Sequence, residues 1–282
     1  MTAKAKLQDA GFPVSEYQTL PPLPNRQRSN KRIAAVLLAL LVAISLAIAL
    51  VMVFPYPTST PSQQLTSPNW SGYCVVSDLN TPQPQVTSVS ASWTVPTVGV
   101  SMGNSYSAAW IGVGGQFDDT LIQIGTEQDS INGKATYSAL YELLPSYAVT
   151  IDSIIISPGD TFTASISLTN KTANTWLIEI NDVTEEQLFN ESLIYASSML
   201  SAEWIVEAPT LVNRIATLAN FGQITFTDCK ATIGGEAGTI GSFPSSQITL
   251  NSHQNITLAI VSTFTSEESS FKVSYEGLET VT

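Results

Sequence analysis

The stretch "SAEWIVEAP" at 201–209 holds two glutamates whose type and spacing suit acid–base chemistry. Glu203 and Glu207 share parity with Ile205, whereas Ala202, Trp204 and Val206 take the other parity. Alternate residues of a strand face opposite sides of a sheet, so one face is apolar and the other carries both carboxylates. Glu127 and Glu142 lie in further alternating runs and complete the set of candidate acids. At about 3.3 Å per residue, Glu203 and Glu207 stand roughly 13 Å apart along a strand. A retaining glycosidase needs two carboxyls about 5–5.5 Å apart, so these two do not form such a pair. Glu142 with Glu207 stays open as one.

Other chemistries lack their parts. His253 is the only histidine and sits in the turn-like "LNSHQN", a poor place for the base of a Ser-His-Asp triad. Two cysteines and one histidine are too few for a closed zinc site. No HExxH, no P-loop and no GxGxxG opening a helix is present. The Asp-Thr/Ser-Gly triplet of aspartic proteases is missing as well. No metal and no cofactor are expected.

The elements that must position these acids read as strands. "VTSVSASWTVP", "ATYSALYEL", "DTFTASISLT", "NTWLIEIND", "GQITFTDCKATI", "NITLAIVSTF" and "FKVSYEG" alternate with period two and are separated by Gly, Pro, Asn and Asp. "ESLIYASSMLSAE" is expected to hold a short helix or irregular turn, and "WIGVGGQF" a bend or bulge. A dozen or so strands imply an all-β antiparallel sandwich or jelly roll.

Ahead of it, residues 33–54 read "IAAVLLALLVAISLAIALVMVF", 22 residues without a charge. A helix of that length spans roughly 33 Å and crosses a bilayer core. Lys4, Lys6, Arg26, Arg28, Lys31 and Arg32 precede it, and no Lys or Arg follows until Lys134. The positive-inside bias puts the N-terminus in the cytoplasm and the rest outside. Residues 1–32 are then a cytoplasmic tail, 33–54 a signal-anchor, 55–68 a Pro/Ser/Thr spacer and 69–282 the β domain. Cleavage near the end of the apolar run, giving a secreted protein, is the alternative. An outside location favours a disulfide between Cys74 and Cys229 and glycosylation at the sequons of Asn170, Asn190 and Asn255. The Asn69 sequon is set aside because it belongs to the motif below.

Beyond the apolar run there are 5 basic and 21 acidic residues, a net charge near −16. Nucleic acid is excluded as a partner. With its acids protonated such a domain carries few charges of either sign, so the fold is expected to tolerate acid.

An ordered series of motifs resembles the glutamic peptidases, the G1 or eqolisin family of acid proteases. "NWSGY" (69–73), "VSASWTVP" (89–96), "SAAWIGVGG" (107–115), "LIQIGTEQ" (121–128), "YSALYELLPSYA" (137–148), "AEWIVE" (202–207) and "FGQITFTDCKA" (221–231) follow the family order. The resemblance implies two antiparallel seven-stranded sheets in a jelly-roll or concanavalin-like sandwich. It also implies an endopeptidase acting on polypeptides without a cofactor; with the aspartic dyad absent, cleavage is expected to resist pepstatin, and the domain is expected to be monomeric. By this resemblance the catalytic pair is Gln123 and Glu207, and Trp70, Trp110, Glu127 and Glu142 support the site or line the cleft. Gly114 stands where the family usually has Asp, and Leu140 where a cleft Trp is usual. Two other classes compete with the peptidase: a non-catalytic sandwich that binds glycans or peptides, and a glycoside hydrolase using Glu142 and Glu207.

Overall fold

The computed structural model describes residues 63–277. The expected tail and membrane anchor, residues 1–54, lie outside the described residues. No helix among the described residues is long and apolar enough to cross a membrane.

Eighteen strands follow one another in chain order. The first seven are β1 (Gln63–Ser67), β2 (Trp70–Val76), β3 (Val86–Thr94), β4 (Ala108–Gly114), β5 (Leu121–Ile131), β6 (Lys134–Leu143) and β7 (Val149–Thr150). Next come β8 (Thr161–Asn170), β9 (Thr175–Asp182), β10 (Gln187–Ile194), β11 (Ser201–Glu207), β12 (Thr210–Leu211) and β13 (Arg214–Ile215). The last are β14 (Gln223–Ile233), β15 (Glu236–Thr239), β16 (Ser245–Asn251), β17 (Thr257–Val261) and β18 (Phe271–Tyr275). Every alternating run of the sequence forms a strand. "ESLIYASSMLSAE" holds no helix: β10 ends at Ile194, and an irregular crossing with Met199 at φ 57° leads into β11.

Hydrogen bonding joins fourteen strands in the order β10-β9-β8-β3-β14-β18-β17-β16-β2-β11-β4-β5-β6-β7. The first seven of that order and the last seven fold over each other as two layers. The β16–β17 pairing joins them at one edge. Alternation builds the core between the layers. Tyr73 and Val75 of β2, Ala202, Trp204 and Val206 of β11, and Trp93, Phe162 and Ile178 of the other layer all enter it. Its buried indoles keep their N–H groups bonded: Trp204 donates to the Ser90 carbonyl at 3.0 Å and Trp93 to the Thr126 hydroxyl at 3.0 Å. Each of those bonds ties one layer to the other and removes a donor that would be costly to bury alone.

β1 pairs in parallel with β16, Leu65 opposite Ile248. The end of the expected spacer is therefore part of the folded domain, which starts no later than Gln63. Asn170, Asn190 and Asn255 are exposed.

The expected bridge between the cysteines is not formed: Cys74 and Cys229 are free, buried thiols. Parity on β2 is the reason. Tyr73 and Val75 point between the layers, so Cys74 points to the other face, among Val76, Ala108, Ile205 and Ile248. Cys229 sits in the core between the layers. Burial raises both thiols well above their ordinary range, which leaves them unreactive. A reductant should therefore leave the thermal midpoint unchanged. A thiol reagent should label neither cysteine in the folded chain and both after denaturation; a midpoint lowered by reductant would contradict this placement.

Candidate active site

The outward face of β2, β11, β4, β5 and β6 carries the candidate acids in three cross-strand ranks. The first is Trp70–Glu207–Ala108–Glu127–Ser138. The second is Gly72–Ile205–Trp110–Gly125–Leu140, and the third Cys74–Glu203–Gly112–Gln123–Glu142. Two-residue periodicity on each strand sets the spacing within a strand, and antiparallel register aligns the ranks.

Trp110 occupies the centre, and small neighbours make room for it. A Cβ at Gly125 would lie 2.6 Å from the Trp110 Cβ, and one at Gly112 would lie 2.9 Å from its ring. Trp70 packs edge-on against it, ring centroids 5.1 Å apart at 78°. Held this way, the Trp110 indole Nε1–H donates to Glu207 Oε2 at 2.8 Å. Asn69 Nδ2 donates to Glu207 Oε1 at 3.1 Å. Asn69 is itself steered by the Ser67 hydroxyl, which donates to its Oδ1 at 3.1 Å and accepts from the Trp70 amide at 3.1 Å. The link from Asn69 to Glu207 was not foreseen. Its signal lay in "NWSGY", where Asn69 directly precedes the cleft tryptophan.

Glu207 and Gln123 line one cavity of about 580 Å³, together with Asn69, Trp70, Trp110, Glu127 and Glu142. Leu140 lies in its wall, as expected, and Tyr147 of the β6–β7 loop and Leu211 of β12 flank it. No Lys, Arg or His lines this cavity; His253 is exposed in the turn after β16. Gln123 is only 5% exposed. Its Nε2 donates to Glu142 Oε2 at 2.5 Å, while its Oε1 is buried without a partner. Glu127 Oε2 accepts from the Ser138 hydroxyl at 2.6 Å. The donors that face the cavity are thus largely committed to its own acids, and what remains is chiefly acceptor capacity. Gly114 turns the chain at φ 90°, and a Cβ there would lie 2.4 Å from the Thr120 carbonyl, so this loop has no room for the family's Asp.

Burial pushes the Glu207 carboxyl up to about 7, against the pull of its Trp110, Trp70 and Asn69 donors and helped by the Glu142 charge. Burial also raises Glu142, with Gln123 opposing and Glu127 adding. Asp129, two residues beyond Glu127, rises to about 7 through burial, with the Ser107 amide opposing and the Glu127 charge adding. Glu203 is fully buried and separated from the cavity by the Trp110 and Leu121 side chains that meet over Gly112. Neither of its oxygens has a hydrogen-bond partner. Burial holds it well above the carboxylate range, with the nearby Ser201 hydroxyl opposing. It does not line the cavity.

With this geometry in view, comparison with known proteins decides the family. The Peptidase A4 family model matches residues 68–275. The chain belongs to this family. Scytalidopepsin B of Scytalidium lignicola is 30% identical over 208 residues, covering 69% of this chain and 74% of the relative. Aspergillopepsin-2 of Aspergillus niger is 29% identical over 198 residues, covering 62% of this chain and 67% of the relative. The crystal structure of scytalido-glutamic peptidase with a transition-state analogue inhibitor superposes with a TM-score of 0.63 at 23% identity, covering 74% of this chain and 98% of that one. The chain is a glutamic endopeptidase of the G1 class, with the two-layered all-β fold of those relatives.

The raised carboxyls set how stability depends on pH. Between its ordinary and its folded pKa, such an acid is protonated when folded and ionised when unfolded. The unfolded chain then binds fewer protons, and stability falls as pH rises. The contribution is fully present below the ordinary values of 3.8 and 4.5 and is lost by about 7 for Asp129 and Glu207. One pKa unit is about 1.4 kcal/mol, so each loses at most on the order of 3–5 kcal/mol, less where solvent screens it. Glu203 extends the loss to higher pH. Thermal midpoints measured from about pH 4 to pH 8 should decline. Glu203→Gln, neutral throughout, should flatten the decline; an unaltered slope in that variant would refute a buried neutral Glu203.

Proposed function

We propose that this chain is a membrane-anchored endopeptidase that works outside the cell through Gln123 and Glu207, its activity rising through the acidic range towards about pH 7 as Glu207 ionises. The observation that carries this is the buried, unpartnered Gln123 Oε1 in the same cavity as a Glu207 held by two donors. A water between them would donate one hydrogen to Gln123 Oε1 and the other to Glu207. Ionised Glu207 takes the proton as the water oxygen attacks the peptide carbonyl carbon. Gln123 Nε2 has a second hydrogen, beyond the one given to Glu142, for the developing oxyanion. Protonated Glu207 then gives its proton to the amide nitrogen, the C–N bond breaks, and Glu207 returns to its carboxylate. No covalent intermediate is required. Glu142, raised by burial, keeps its charge low beside Glu207 in acid and fixes the Gln123 amide.

Glu207→Gln should lower kcat by about 10²–10⁴-fold, the range for loss of a general acid–base. Gln123→Ala should lower it by about 10²–10³-fold. Full activity in Glu207→Gln on denatured protein would end this mechanism. The acid limb of kcat/KM should follow Glu207, and Trp110→Phe removes a donor to its ionised form. A hydrogen bond to a charged group is worth about 1.5–3 kcal/mol, so that limb should move up by about 1–2 pH units.

The anchor rests on the uncharged run at 33–54 and the basic flank before it. The full chain should stay with membranes in alkaline carbonate, and external protease should remove the catalytic domain from intact cells. Release of the intact domain into the medium would favour the cleaved, secreted form instead.

A further inference from the structure

The second rank of the cleft face does not stop at Gly72. Ile248 of β16 pairs with Gly72, and Leu65 of β1 pairs with Ile248. The same row therefore runs Leu65–Ile248–Gly72–Ile205–Trp110 from the sheet edge to the centre of the catalytic face. A second concavity of about 380 Å³ lies over its outer end, lined by Leu65, Thr66, Trp70, Gly115, Gln116 and Ile248 among others. It shares Asn69 and Trp70 with the catalytic cavity, so one indole is the partition between the two. Their chemistry differs sharply. The catalytic cavity is lined by Glu127, Glu142 and Glu207, whereas no charged residue lines the second one.

The outer concavity is built rather than incidental. β1 is pinned to β16 by Gln64 Nε2, which donates to Gln247 Oε1 at 2.7 Å; Gln247 in turn donates to the Val261 carbonyl at 2.8 Å. That fixes Leu65 over its partner Ile248. On the opposite wall Gly115 has φ 97°, and a Cβ there would lie 3.2 Å from the Trp70 ring. A side chain at 115 would press on the partition, so the bare glycine keeps both the turn and the opening.

We propose that this concavity is a specificity subsite of the peptidase for an uncharged, apolar side chain of an extended polypeptide substrate. Leu65 and Ile248 form its floor and Trp70 its inner wall. Strands lie about 4.8 Å apart, so β16 is roughly 10 Å from the strand of Glu207. An extended chain covers that in about three residues. The subsite therefore reads a residue about three positions from the scissile bond. Part of it is supplied by Leu65 and Thr66, in the stretch that leads in from the spacer. This inference rests on the cleft being the peptide-binding site of the proposed function.

The test is positional discrimination in binding and in turnover. Full-length Glu207→Gln is titrated calorimetrically with peptides taken from wild-type cleavage sites in denatured protein. In each, every position out to five from the cut is set in turn to Leu, Ser, Asp or Lys. One position, about three from the cut, should favour Leu over Asp and Lys by about tenfold in Kd, as expected for part-burial of one apolar side chain. Wild-type kcat/KM should show the same ratio. Leu65→Asp, which puts a charge on the floor, and Leu65→Trp, which fills the space, should each cut that ratio at least about fivefold. Both variants are read only after their thermal midpoints show a folded chain; the filling variant keeps the test open if the charged one unfolds. A Leu preference at that position that survives both substitutions overturns the proposal, as does its absence in the wild type. Cleavage by Glu207→Gln would instead overturn the catalytic assignment, and the binding ratios would still decide the subsite.

Discussion

In the proposed mechanism Glu207 must be ionisable yet shielded, and the Trp110 indole serves both needs. Its Nε1–H gives the carboxylate a directed partner at 2.8 Å, while its ring covers the floor of the cleft and separates the cavity from Glu203. An indole can stand there only because the positions around it are small: Gly125 beside it, Gly112 beneath its ring and Ala108 in the next rank. Trp70 closes the arrangement from one side and is itself held through Ser67. A network in which each donor is already committed leaves little freedom for the acid to move, which is the property that acid–base catalysis needs.

The scarcity of bases is part of the same design. Lys230 pairs with Asp228 at 3.6 Å, both well exposed and away from the cavity. The site's carboxyls are instead controlled by neutral donors and by burial. Such control does not lapse in acid, because indole and amide donors do not titrate. The outward face of the second layer follows the same logic. Ser88, Ser90 and Ser92 of β3 lie opposite Ser167, Ser165 and Thr163 of β8. Hydroxyls supply much of that face's polarity, with Glu179, Asp228 and Lys230 among them.

Much of the fold was legible because period-two alternation is a local signal. Each alternating run became a strand, and the parity of "SAEWIVE" placed Trp204 inward and Glu207 outward. The expected disulfide failed for a reason that the same signal contains. Cys74 sits between Tyr73 and Val75, whose opposite parity commits it to the outer face, away from Cys229 in the core. The start of the domain was misjudged because a short edge strand in a Ser/Gln/Thr-rich segment has no alternation to announce it; β1 exists through its pairing with β16.

Residue type and order alone determined the all-β class, the set of candidate acids and the family resemblance, and through that resemblance pointed to Gln123 and Glu207, since these depend on side-chain chemistry and local periodicity. Tertiary structure decided which acids share an environment. Glu203 and Glu207 are neighbours in sequence and lie on one face, yet one is sealed under Trp110 and Leu121 and the other opens on the cavity. Register between β11, β4 and β5 aligned Glu203 with Gln123 and Glu207 with Glu127. Burial then moved Glu207 to about 7. Register and desolvation come from chain segments far apart in sequence, so they are fixed only when the sheet is assembled.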